Sequence, residues 1–166
     1  MSQTYDNHAP LLRYLTDMQT PAPAVLKGVA TFALNGRLRR ALAGPDLDAP
    51  RIHALLDEAQ VLSLKLETTE LEFTARKAIE HLSDQFAADP ASLNALIRLT
   101  QSVTLARSLP FPVVFWSVQN KCWDAMNALL PDMRTRAAAG DDTARAWVAE
   151  FTTLCDGLQL LIPAEL

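Results

Sequence analysis

A chain of 166 residues with 49% apolar and 20% charged side chains is long enough to bury one core and too apolar to stay disordered. Its net charge is −4, with acidic and basic residues interleaved, so it has no basic patch of the kind that neutralises nucleic-acid phosphates. The first ten residues, MSQTYDNHAP, lack the basic-then-apolar layout of a signal peptide. No apolar run reaches transmembrane length, so the expectation is a cytoplasmic protein with no membrane partner.

Only five glycines, many alanines and leucines and few β-branched runs favour helix throughout. Residues 3 to 18 read as a first helix with Leu11, Leu12, Tyr14, Leu15 and Met18 on its apolar side, and Thr20 to Pro23 as a stiff linker. A second helix is expected from about Ala24 to Ala43, with Val25, Val29, Phe32, Ala33, Leu38 and Leu42 buried and the basic Arg37, Arg39 and Arg40 at its C-terminal end. Gly44-Pro45 ends it. Asp48 is the expected N-cap of a third helix, about Ala49 to Leu62, with Pro50 in its first turn.

Thr69 and Glu72 have capping-box spacing at the entrance of a fourth helix, about Glu70 to Ala88, which buries Leu71, Ala75, Ala78, Ile79, Leu82 and Phe86. Asp89-Pro90 reads as the entrance to a fifth helix, Ala91 to Ser108, with Leu93, Leu96, Ile97, Thr100 and Val103 inward. Pro110 and Pro112 stop that helix, and a sixth starts near Val113, continues to Leu130, is broken or kinked at Pro131 and resumes over Asp132 to Ala139. Gly140 then stops the chain's helical run. Asp141 or Asp142 caps a last helix carrying Ala144, Trp147, Val148, Phe151, Cys155, Leu158 and Ile162, with Pro163 at its end. Short connections between these segments predict a single all-α domain over residues 1–166, an antiparallel helical bundle of about seven helices.

The sixth helix carries an unusual stripe. Trp116, Asn120, Trp123 and Asn127 fall at i, i+4, i+7 and i+11 and share one face, beside an apolar face of Val114, Val118, Cys122, Ala125 and Leu129. Two readings of the stripe stand. Both indoles are half-buried core with partnered N–H groups, or they form a polar-aromatic surface for a sugar or a partner protein. His8, Arg13 and Tyr14 of the first helix are further polar and aromatic candidates.

Metal and nucleophile chemistry find little support. His8, His53 and His81 stand far apart with no second His or Cys at ligand spacing, and there is no CxxC or HExxH, so no metal or other cofactor is expected. There is no GxSxG and no glycine-rich phosphate loop, and both cysteines, Cys122 and Cys155, sit on apolar helical stripes as small buried hydrophobes. No carboxylate pair stands out as acid and base among the many on solvated faces.

Three segments carry a family likeness: "NHAPLLRYL" entering the first helix, "FALNGRLRRAL" over Phe32 to Leu42, and the "WSVQN" of Trp116, Gln119 and Asn120. In this order they resemble the helical C-terminal region, domain of unknown function 3536, that follows a catalytic barrel in many bacterial proteins related to family 57 glycoside hydrolases. The closing part, Pro131 to Ile162, with its "GDDTARAWV" turn, is also similar.

The resemblance implies a non-catalytic accessory domain that packs on a catalytic barrel and helps to wall an α-glucan cleft. Its implied partners are an upstream glycoside-hydrolase-like domain and an α-glucan. No position here matches the family's glutamate nucleophile or aspartate acid/base, so hydrolysis by this chain alone is not expected. By the same analogy Trp116, Gln119, Asn120, Arg13, Asn35 and Arg39 are the candidates for the glycan- or barrel-facing surface. The competing expectations are a free-standing interaction protein, homo-oligomeric through an apolar face, and a small enzyme of unknown chemistry.

Overall fold

In the computed structural model the described residues are 10, 14, 15, 18, 23–44 and 46–163. They are all-helical, with six helices and no strand among them. The helices are α1 (Ala24–Leu42), α2 (Ala49–Val61), α3 (Thr68–Ala88), α4 (Leu93–Ser108), α5 (Trp116–Ala138) and α6 (Asp142–Leu158). The helix expected over residues 3 to 18, the linker at Thr20 to Ala22 and the stop at Pro45 lie largely outside the described residues. The chain divides into two compact units, Met1–Thr74 and Ala75–Leu166, and the division falls inside α3.

In the first unit α1 packs on α2. The face that α1 buries is Ala30, Ala33, Leu34, Leu38, Ala41 and Leu42. This is rotated from the expected stripe. Val25 and Phe32, both expected inside, are 78% and 63% exposed. The helix is apolar on most of its circumference, so periodicity alone does not single out a face, and packing chooses the leucines. Asp48 caps α2 as expected, its Oδ1 accepting from the Arg51 N–H at 3.1 Å. Helix α3 opens at Thr68, so Thr69 lies within its first turn and not at a capping box.

The second unit is built on an aromatic centre. Trp147 and Phe151 of α6 stack at 4.7 Å between ring centroids, and Phe86 of α3 lies 6.3 Å from Phe151. All three are fully buried. The buried indole N–H of Trp147 donates to the Pro90 carbonyl at 2.9 Å, which satisfies a donor that would otherwise be costly to bury. Helix α6 packs against both α4 and α5.

The capping details differ from expectation in three places. Ser92, not Asp89, caps α4, its Oγ accepting from the Ala95 N–H at 3.4 Å. Helix α5 starts at Trp116, three residues later than the prolines suggest, and Phe111 and Phe115 of the connecting loop are buried. Helix α6 ends at Leu158, before Ile162. Gln159 takes the left-handed conformation, and the Gln159 and Leu160 N–H groups close the end on the carbonyls of Asp156 and Cys155. Pro131 does not end α5, which runs on to Ala138 with Leu130 and Met133 buried on either side of the proline.

Candidate functional site

The first unit holds a cleft of about 270 Å³ lined by Phe32, Asn35, Gly36 and Arg39 of α1 and by Glu67, Glu70 and Leu71. Its base is fixed by Asn35, which is 5% exposed. The Asn35 Nδ2 donates to the carbonyls of Thr31 and Lys65, at 2.9 and 3.0 Å, and its Oδ1 accepts from the Glu67 N–H at 2.8 Å. One carboxamide thus ties the link after α2 to the middle of α1, over a sequence separation of about 30 residues. The amide's capacity is engaged by the protein itself.

The other walls face outward. Arg39 Nη1 donates to Glu70 Oε2 at 3.2 Å, and both side chains are more than half exposed. An ion pair so open to water contributes at most a few tenths of a kcal/mol to stability. Phe32 shows its ring to solvent beside this pair. Gly36 leaves the floor bare, since a Cβ built there meets nothing within 4 Å.

In the second unit the α5 stripe is exposed along its length. Trp116 is 78% and Trp123 47% exposed, and Asn120 and Asn127 are exposed between and beyond them. Asn127 Nδ2 donates to the Trp123 carbonyl at 2.9 Å. The indoles are therefore surface groups. Val118, Cys122 and Ala125 form the buried face as expected, while Val114, ahead of the helix, is 58% exposed.

Gln119 is half-buried, its Nε2 donating to the Leu158 carbonyl at 2.9 Å, so it ties α5 to the end of α6. Arg107 closes the same end. Its Nε donates to the Gly157 carbonyl at 2.7 Å, and its guanidinium lies 5.1 Å from the centroid of the Phe115 ring. A second cleft of about 320 Å³, lined by Arg107 and the 109–115 loop, opens there.

Each unit holds its own share of the candidate residues. Asn35 and Arg39 share the cleft of the first unit, Trp116 and Asn120 share the α5 face, Gln119 is engaged on α6, and Arg13 lies outside the described residues. Sequence reasoning missed Phe32 and Glu70 as cleft groups. Phe32 looks like core by spacing, and only the Asn35-Gly36 step beside it hints at an opening.

The reactive side chains are quiet. Burial pushes the Cys122 thiol up to about 12, with the neighbouring Cys155 adding to the effect. Burial likewise lifts Cys155 to about 12, helped by the charge of Asp156. Such thiols hold almost no thiolate at neutral pH and are poor nucleophiles. No group of three metal-ligating side chains occurs among the described residues. No described helix is long and apolar enough to cross a membrane. No protein-family model, curated protein or solved structure matches the chain.

Proposed function

We propose that this chain is a non-catalytic accessory helical domain of a carbohydrate-active protein related to the family 57 glycoside hydrolases, packing on a catalytic barrel and helping to wall an α-glucan cleft. The observation that carries this reading is the cleft of the first unit, where Asn35 and Arg39, two of the residues singled out by the family resemblance, meet an exposed phenyl ring.

The chemistry suits a sugar ring. The Phe32 face offers an apolar platform for the axial C–H bonds of a pyranose. Arg39 and Glu70 offer planar, charge-assisted partners for neighbouring hydroxyls. A volume of about 270 Å³ is below that of pockets for drug-sized ligands, and it matches one ring of an oligosaccharide or one side chain of a packed domain. Nothing in this arrangement needs a nucleophile or a titrating base.

An antiparallel bundle, with residues 3 to 18 as a seventh helix, belongs to the same proposal. It is supported by connections of only about five to seven residues between most of the helices. A cytoplasmic setting is supported by the two cysteines, both buried and free. A free-standing interaction protein is the second reading, and the solvent-facing indoles of α5 favour it.

The test is a titration of the pure chain with maltoheptaose. Saturable perturbation of the cleft residues, lost in Phe32→Ala and weakened in Arg39→Gln, is the expected result. No perturbation at millimolar sugar would remove the glycan from the account.

A further inference from the structure

We propose that the outer face of α5 pairs with the same face of a second copy of this chain, the two helices running antiparallel about a two-fold axis. The inference rests on the α5 stripe and does not use the cleft residues.

The stripe alternates indole and carboxamide: Trp116, Asn120, Trp123, Asn127. The spacing of four, three and four residues is that of a two-helix seam. All four positions are exposed, and none of them carries a charge. Among the described residues no group accepts from either indole N–H.

Antiparallel pairing about an axis between positions 120 and 123 sets Trp116 against the partner's Asn127 and Asn120 against the partner's Trp123. Each indole, which can only donate, then faces a carboxamide, which can accept. Asn127 already donates to the Trp123 carbonyl, which leaves its Oδ1 for that role. A parallel pair would set indole against indole and leave both N–H groups without acceptors. The self-complementary reading is thus specific to one direction, and it is isologous, as in most homodimers.

The size of the patch sets the strength. The two indoles expose on the order of 250–300 Å². One helix face with its flanking side chains falls short of the roughly 800 Å² per partner of a standard interface. The dimer is therefore weak and concentration-dependent.

Sedimentation equilibrium of the full chain across micromolar to submillimolar concentrations tests this. The wild-type chain is expected to shift from monomer to dimer. Trp116→Glu is expected to weaken association at least tenfold with unchanged circular dichroism, because the side chain is 78% exposed. Asn127→Arg mixed with Trp116→Glu is expected to regain the dimer, since the antiparallel register sets these two positions opposite each other. A wild-type chain that stays monomeric overturns the proposal, as does a dimer indifferent to Trp116→Glu. Failure of the mixture to regain the dimer overturns the antiparallel pairing.

Discussion

Asn35 and Arg39 are separated by one turn of α1, and both stood out in the sequence for the same reason, yet their environments differ. Asn35 is buried and makes three hydrogen bonds, while Arg39 holds one exposed ion pair. Asn35→Ala is therefore expected to cost about 1–2 kcal/mol in denaturant unfolding, because the Lys65 carbonyl and Glu67 N–H lose their partner. Asn35→Asp should cost more at neutral pH, since it turns a carboxylate oxygen on two carbonyls. Arg39→Ala should change stability by less than about 0.5 kcal/mol. A sequence shows that a carboxamide sits mid-helix; it does not show a partner some 30 residues away.

The cysteines make a second prediction at this scale. Their folded pKa values, about 12, stand above the ordinary thiol value near 9 that applies once the chain unfolds. The folded chain then holds protons that the unfolded chain releases. The stability contribution is full below pH 9 and is lost as pH rises from 9 towards 12. Unfolding midpoints measured across that range should fall with pH, and Cys122→Ala should flatten the slope. A flat alkaline profile in the wild-type chain would contradict the burial of both thiols.

Helices were the most legible level. The starts and stops set by Asp48, Asp141 and Gly140 follow directly from capping chemistry. The face of α6 also reads cleanly, because Ala144, Trp147, Phe151 and Cys155 recur at helical spacing. The face of α1 did not, because Val25 and Phe32 compete with Leu34 and Leu38 for the inward position and only packing decides. The run of α5 through Pro131 was legible in part, since helix on both sides of the proline is expected but a break and a kink fit it equally. Proline removes one hydrogen bond to the Asn127 carbonyl, and the loss is tolerated where buried neighbours on both sides hold the helix.

Two substitutions test the elements. Gly140 has φ +98°, which only glycine adopts without strain, so Gly140→Ala is expected to lower stability by about 1 kcal/mol in thermal unfolding. Pro131→Ala restores the missing donor in α5 and should raise the melting temperature. A fall would mean that the proline's ring contacts outweigh the regained bond.

For the molecule as a whole, composition and spacing supply the all-helical class but not which candidate residues line a cavity. The likeness to the family 57-associated region groups Asn35, Arg39, Trp116, Gln119 and Asn120 as one surface. Within the first unit Asn35 and Arg39 line a concave cleft; within the second Trp116 and Asn120 lie on an exposed helix face and Gln119 bonds a helix end. Composition and spacing carry no information about which residues distant in sequence converge. The division of the chain inside α3 is hidden for the same reason, since the helix itself is uninterrupted in sequence pattern.

A sugar ring seated in the Phe32 cleft would perturb the backbone amides around it. The most direct measurement is a nitrogen–proton NMR titration of the pure chain with maltoheptaose, reading the backbone amides of Phe32, Gly36 and Arg39 together with the indole N–H signals of Trp116 and Trp123. Saturable shifts are expected at the three α1 amides, absent in Phe32→Ala, while the two indole signals respond to protein concentration and not to sugar. Shifts confined to the indoles, or none at millimolar sugar, would exclude a sugar from the cleft.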